Sequence, residues 1–581
     1  MDTTTPRVIS VERVDDLPVL FAHLKRLRVA QLLDRHFPCH HLWKGDLSFG
    51  EVVCVWLAFL ASQGDHRLCN LQPWAERRRL TLQSCLGKSF RDLDFHDDRL
   101  ADVLDRLARH DPWSAFETDL NAQTVRVYDL DASVFRIDAT TASSSAQILG
   151  PDGLLQFGHS KDDPLRPQLK IAATALDPLG LPVSVAVVAG DCADDPLYVP
   201  QIRKVRSAFG AGGKLYVGDC KMAALATRAY LADSGDHYLC PLSEKQLCKQ
   251  DRLALLEPVW QGGQPLRSVH RPHADARGQA ELVAEGFCYD EVVQASVDGR
   301  PIQWTERRFV VRSAGFAQAQ QRKLEERLHK ASEQIGRIKQ RQHGRKPLDA
   351  QGIKEAALAI LEQQRVRGLL DVEVVTTLTR RPVRRYGVRP AQVVREEEHR
   401  LHLRREEGAI GRAKAEMGWQ VYATNEAGLG VEEVVWAYRG QYRIEEGWSR
   451  LKGKALSLSP MYLQDESRMV GLVMLLSVAV RLLSLVEFQV RQKLAQGCEE
   501  LRGIYPGQAG RRCTRPSAEL LLGAFEGISL AVVEVAGQAS GHVTPLTTLQ
   551  QRLLALWELP PDLFQRLTLH FAEPPPGLSE R

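Results

Sequence analysis

An α/β fold built on a mixed sheet and split by a long insertion is what this sequence predicts, and three observations carry it. Apolar residues recur at helical spacing through residues 17–120, and from residue 125 the period drops to two. Two of the short apolar runs that follow end in an aspartate, SVFRID at Ser133–Asp138 and KLYVGD at Lys214–Asp219. The next acid placed for chemistry, Glu445, lies 226 residues after Asp219 (445 − 219), far more than a loop spans inside a compact domain.

Residues 1–120 read as a helical N-terminal domain. Leu17–Leu33 and Phe49–Ala61 carry apolar residues at helical spacing, and Asp97–Leu107 opens with acids that suit a helix N-terminus. His36, Cys39, His40 and His41 cluster in HFPCHH, but no second ligand pair stands at a spacing typical of zinc, so an ordinary loop is expected. Residues 125–244 hold the first part of the core. Strands at Gln168–Leu176 and Leu181–Val188 flank a turn at Asp177–Gly180, and a helix at Met222–Leu231 precedes a strand at His237–Leu242. Strand, strand, strand, helix or loop, strand, helix, strand is the order of an RNase H-like core. In that order the first and fourth strands are neighbours, which brings Asp138 and Asp219 together although they are 81 residues apart (219 − 138).

Residues 245–418 read as an inserted domain containing β-strands. Strands are expected at Glu285–Val297, Gln303–Val311 and Val372–Leu378. A charged helix is expected at Ala317–Gln342, with Leu324, Leu328, Ile335 and Ile338 on its apolar face. The basic run RRPVRRYGVR at 380–389 reads either as a solvated loop or as an arm that follows phosphates. Residues 419–460 return to the core, with a strand at Trp419–Thr424 and one amphipathic helix at Tyr438–Lys454. Ile444, Trp448, Leu451 and Ala455 form its apolar stripe, while Tyr438, Glu445 and Lys452 recur every seven residues along a separate line. Residues 461–581 read as a helical C-terminal region: a long apolar helix over 468–497, further helices over 517–570, and a frayed tail.

Composition narrows the class. The chain has 581 residues, 44% hydrophobic and 25% charged, with a net charge of +4, so any surface for phosphates must come from local clustering. Eleven scattered cysteines without a C-x-x-C pair suit reduced thiols in a cytosolic protein. The acidic, unhydrophobic start is unlike a signal peptide, and the most apolar run, Met469–Val480, is short for a bilayer span of about 20 residues. No Walker loop, dinucleotide fingerprint or G-x-S-x-G is present, which argues against a small-molecule enzyme.

Two acids at strand ends and a third on a helix beside cations suit phosphodiester chemistry with metal ions, in which carboxylates hold the metals and cations hold phosphates. Taken alone, either aspartate reads more simply as a turn or cap residue, and the helix as a surface helix with solvated charges. Their order along the chain is what gives them weight.

The helix also resembles a known signature. Tyr438, Glu445 and Lys452 match the pattern Y-x2-R-x3-E-x6-K of the YREK-signature (IS-four-like) DDE insertion-sequence transposases. Gln441 stands where the signature arginine belongs, with Arg439 and Arg443 on either side of it. LKGKALSLSPMYLQ downstream, and DDLP, LLDRHFP, FGEVVCVWLAFL and DHRLCNLQPWAE near the N-terminus, resemble the IS-sixteen-thirty-four-like branch. The resemblance implies a transposase that cleaves DNA at insertion-sequence ends and joins the 3′-hydroxyl ends to target DNA. It implies that Asp138, Asp219 and Glu445 bind two Mg²⁺ ions, with Mn²⁺ able to substitute, and that Tyr438, Arg439, Gln441, Arg443 and Lys452 contact DNA. It implies double-stranded DNA as partner, a homodimer when assembled on DNA, a cytoplasmic, nucleoid-associated location, and end binding by the N-terminal domain. Trp260 and Trp304 are the candidates to receive a flipped base. Two other readings stay open: a non-transposing RNase H-like nuclease, and a catalytically inactive DNA-binding remnant.

Overall fold

The computed structural model describes residues 7–572 apart from 161, 273–279, 339–347, 386, 388, 389, 391 and 537. The chain is a mixed α/β protein in two units, Met1–Cys240 with Val293–Trp304 and Ala437–Arg581, and Pro241–Val292 with Thr305–Trp436.

In the first unit, strand β1 (Arg7–Arg13) precedes helices α1 (Leu17–Arg26), α2 (Val29–His36), α3 (Phe49–Gln63), α4 (Leu71–Glu76), α5 (Arg79–Leu86), α6 (Asp97–Leu107) and α7 (His110–Tyr128). The stretch Leu17–Leu33, expected to be helical, forms two helices, with Arg28 left-handed at φ 56° between them. Helix α3 is started by a capping box: Ser48 Oγ accepts from the Glu51 N–H while the Glu51 carboxylate accepts from the Ser48 N–H. His36, the first residue of the HFPCHH cluster, pairs with Asp119 at 2.8 Å.

The sheet follows with β2 (Val134–Ser143), β3 (Gln168–Leu176), β4 (Leu181–Ala189), helix α8 (Tyr198–Phe209), β5 (Leu215–Val217), helix α9 (Leu225–Asp233) and β6 (His237–Pro241). The strand order is β4-β3-β2-β5-β6. Pairs β2–β3 and β3–β4 are antiparallel, and β2–β5 and β5–β6 are parallel. A parallel neighbour needs a crossover connection, which α8 and α9 supply.

Glu117 of α7 is buried and accepts from the Val185 N–H of β4 at 3.1 Å. Burial pushes its carboxyl up to about 7 against the attraction of Lys204 and Arg481. An acid with a raised folded pKa stabilises the fold while protonated, so this contribution is full below the ordinary value of 4.5 and is lost as pH rises through about 7. Melting temperature is therefore expected to fall between pH 5 and pH 8. Glu117→Gln should flatten that slope by on the order of 3 kcal/mol. Asp16, which burial also pushes up to about 7, and Glu12, which burial raises, contribute in the same direction.

The second unit contains α10 (Lys249–Trp260), β7 (Arg267–His270), most of β8 (Leu282–Val297) and of β9 (Arg300–Ser313), α11 (Ala314–Gly336), α12 (Ala350–Gln363), β10 (Leu370–Val383), β11 (Gln392–Arg405), α13 (Glu407–Ala415) and β12 (Trp419–Thr424). The expected strands appear as β8, β9 and β10. The expected apolar face of the long helix is real: Leu324, Leu328 and Ile335 are buried against α12, β10 and α13. The far end of the expected helix, residues 339–342, lies outside the described residues, as do 386, 388 and 389 of the basic run. Its Arg380 and Arg381 belong to β10, which pairs with β11 over its whole length in an exposed two-stranded ribbon.

Helix α14 (Val431–Arg439) leads into α15 (Tyr442–Lys452) and the 31-residue α16 (Glu466–Gln496). By length and composition α16 could cross a membrane, yet 89% of its most apolar window is buried within the protein. Arg481, which seemed to end the apolar run, sits inside the helix and donates to the Pro182 carbonyl at 2.8 Å. After β13 (Leu501–Arg502), β14 (Arg512–Cys513) and α17 (Ala518–Gly523), the C-terminal region departs from the helical expectation. Strands β15 (Ser529–Val535) and β16 (Gln538–Val543) join β1 in a sheet of order β1-β15-β16, before α18 (Thr548–Leu556). SLAVVEV pairs with a segment more than 500 residues earlier, a partner that local spacing does not reveal. The tail from residue 573 lies outside the described residues.

Candidate active site

The two aspartates stand side by side. In the parallel pair β2–β5, Arg136 is opposite Val217. Asp138 does not end its strand as expected, since β2 runs on to Ser143, and Asp219 lies two residues past the end of β5, so the pairing carries both toward the same end of β5. Alternation along β2 turns Arg136, Asp138 and Thr140 to one face, and each of them bonds to the segment 437–452. Asp138 Oδ2 accepts from the indole N–H of Trp448 at 2.9 Å. Asp219 Oδ1 accepts from the Tyr198 hydroxyl at 2.5 Å and from the Lys221 N–H at 2.8 Å. Both bonds fall on Oδ1, so they set the rotation of the carboxylate without using Oδ2.

The helix expected over Tyr438–Lys454 is two helices, and the break lies at Gly440. A Cβ there would come within 2.2 Å of the Arg136 guanidinium. The chain crosses that point by short turns, with the Gln441 N–H bonded to the Tyr438 carbonyl and the Arg443 N–H to the Gly440 carbonyl. Tyr438, half-buried, and Arg439, exposed, therefore end α14 and do not continue the line of Glu445 and Lys452. On α15 a different stripe emerges. At 100° per residue, Gln441, Glu445, Trp448 and Lys452 fall within an arc of about 60°. Three of them reach β2. Gln441 Nε2 donates to the Ile137 carbonyl at 3.4 Å, Trp448 donates to Asp138, and Lys452 Nζ donates to Thr140 Oγ1 at 3.0 Å. Glu445 is the fourth, exposed and one turn from the residue bonded to Asp138. Its helix is anchored by Ile444 and Leu451, which are buried.

These carboxylates offer only oxygen donors, which suit a hard divalent ion over zinc. Asp138 and Asp219 fit such an ion as an adjacent pair. Among the described residues no group of three or more His, Cys, Asp or Glu side chains is gathered closely enough to hold a metal, so Glu445 faces the strand of the pair without yet joining it.

Residues 123–482, more than half of the chain, match the transposase DDE domain family. The chain belongs to that family. DDE transposases are enzymes that act on DNA, and the family generally works with divalent metal ions. The match begins in α7 and ends in α16, so both aspartates and Glu445 fall within it. A cryo-EM structure of a piggyBac transposase synaptic complex with hairpin DNA aligns over 84% of this chain and 77% of that one, at 7% identity and a TM-score of 0.32, too slight a likeness to bear on the fold. No curated protein matches.

Several charged groups of this DDE transposase are already engaged. Asp177, in the β3–β4 turn, accepts from Nε and Nη2 of Arg136 at 2.9 Å each and from Arg443 Nη1 at 2.7 Å. Arg443, expected at DNA, is thus spent on Asp177. Lys452 Nζ donates to Asp162 at 2.8 Å as well as to Thr140. Gln441 is held by Ile137, with its Oε1 buried and without a hydrogen bond. Trp304 donates to the Tyr238 hydroxyl at 2.9 Å, and Trp260 is exposed at the end of α10. Sequence reasoning missed Tyr198 and Asp177, and it read Trp448 as a core residue only. One signal was available for Trp448: it stands three residues after Glu445 and four before Lys452, on their side of the helix.

Proposed function

We propose that this chain is a YREK-type insertion-sequence transposase with an RNase H-like core, which cleaves DNA at the element's ends and joins the 3′-hydroxyl ends to target DNA. One observation carries the reading: Asp138 on β2 and Asp219 just past β5 come from neighbouring parallel strands, and the Glu445 stripe of α15 bonds to β2. Three antiparallel strands followed by two parallel ones support the RNase H-like assignment. Asp138, Asp219 and Glu445 would hold two Mg²⁺ ions, which when bound supply Lewis-acid activation of the attacking oxygen and charge stabilisation of the leaving one.

The protein's own groups do the rest. Lys452, now paired with Asp162, exchanges that carboxylate for a DNA phosphate. Gln441 is neutral and positions DNA without neutralising it, and the exposed Arg439 supplies charge nearby. Tyr438 contacts the backbone beside them. In the second unit, Lys323, Arg327 and Lys330 of α11 and Lys249 and Arg252 of α10 line an open cleft of about 890 Å³, a second surface suited to phosphates. The protein works as a homodimer on paired ends, in the cytoplasm at the nucleoid.

A nuclease on the same core would cut but not join. Incubating the protein and Mg²⁺ with a duplex carrying the element's end and a second plasmid should give covalent end-to-target products. Cutting without any joined product would favour the nuclease, and no cutting at all would favour an inactive DNA-binding remnant.

A further inference from the structure

Each aspartate of the pair is met by one aromatic donor from a different element. Tyr198, the first residue of α8, is buried at 4% exposure, and its hydroxyl lies 2.5 Å from Asp219 Oδ1. Its ring passes beside Gly218, where a Cβ would come within 3.1 Å of Tyr198 Cε1 and 2.7 Å of Met222 Sδ. The absence of a side chain immediately before Asp219 therefore leaves room for Met222 and, less tightly, for the ring. Trp448 matches it from the other side. Its ring borders a small apolar void shared with Ile171, Ala173 and Val473, and its N–H reaches Asp138 Oδ2 at 2.9 Å.

We propose that Tyr198 and Trp448 are positioning residues that fix the rotamers of Asp219 and Asp138, and that Trp448 also sets the standing of the Glu445 helix against β2. The inference rests on the metal-ion reading above. The physical reason is geometric. Mg²⁺ demands near-ideal octahedral oxygen positions at about 2.0–2.1 Å, while an aspartate side chain can rotate about two bonds. A donor on one carboxylate oxygen removes that freedom and presents the other oxygen in one place, which is how outer groups tune ligands in metal sites. Aromatic donors from two separate elements, Tyr198 at Asp219 and Trp448 at Asp138, give this site a preset pair, to be completed when Glu445 joins.

The test uses the full-length protein and Mn²⁺ as probe, followed by the loss of the free-ion signal in electron paramagnetic resonance. Tyr198→Phe keeps the ring and removes only the hydroxyl; Trp448→Phe keeps an aromatic ring and removes the N–H. Each variant is expected to raise the apparent Kd for Mn²⁺ by about 10–100-fold, with its melting temperature within a few degrees of wild type. Cleavage at limiting Mn²⁺ should fall in kcat with KM for DNA unchanged, and excess Mn²⁺ should restore it in both variants but not in Asp219→Asn. Folded variants that bind Mn²⁺ as wild type does overturn the positioning role. If wild type binds no more Mn²⁺ than Asp219→Asn, the metal reading itself fails, and the positioning role falls with it.

Discussion

Replacing Glu445 by Gln, or Asp219 by Asn, is expected to lower DNA cleavage by on the order of 10³-fold or more while leaving DNA binding within a few-fold of wild type. Both changes keep the size of the side chain and remove its charge. Metal ions stabilise several kcal/mol of charge in the transition state of phosphodiester attack, and each 1.36 kcal/mol is tenfold in rate. Binding on the reading proposed above rests instead on cations away from these two acids, which neither change touches. The two variants also test different things. Asp219 is held by hydrogen bonds from Tyr198 and Lys221, whereas Glu445 is exposed on α15. Mg²⁺-dependent nicking of an end-containing duplex, beside a gel-shift titration, measures both quantities. Full cleavage by either variant would refute the assignment of that acid.

The largest effect on stability is expected at Asp177. Its carboxylate compensates Arg136, whose side chain is 1% exposed, and it also receives Arg443. Arg136 further donates to the Ala437 carbonyl at 2.8 Å and packs against Gly440, so the ion cluster ties β2 to the junction of α14 and α15. Asp177→Ala leaves two cations facing each other, one of them fully buried, and should cost about 3–5 kcal/mol. Asp177→Asn retains an acceptor and should cost less. Because the junction sets the start of the helix that carries Glu445, both variants should also lose activity in proportion to the disturbance. Denaturant unfolding followed by circular dichroism reads the stability. An Asp177→Ala protein as stable as wild type would show that the cluster does not hold the junction.

Much of the first unit was legible because its signals are local. Strands β2, β3 and β4 alternate or run apolar between turn residues, and DPLG marks the β3–β4 turn wherever the rest of the chain goes. The C-terminal hairpin was not legible as strands, since β15 takes its partner β1 from the opposite end of the chain. The break in the Glu445 helix was equally hidden. Gly440 lowers helix propensity only modestly, and what stops the helix is a guanidinium packed on it from β2, some 300 residues earlier.

By itself, then, the sequence determined that two aspartates follow short apolar runs and that a glutamate and a lysine share one side of a later helix, because strand and helix periodicities follow from covalent geometry alone; that β2 runs on past Asp138 to Ser143 was decided by its pairing with β3. The tertiary structure decided which groups those acids meet: Tyr198 at Asp219, Trp448 at Asp138, and Asp162 rather than a phosphate at Lys452. A hydrogen bond depends on tenths of an ångström between atoms that the chain carries together from up to 310 residues apart, and no local pattern encodes that distance.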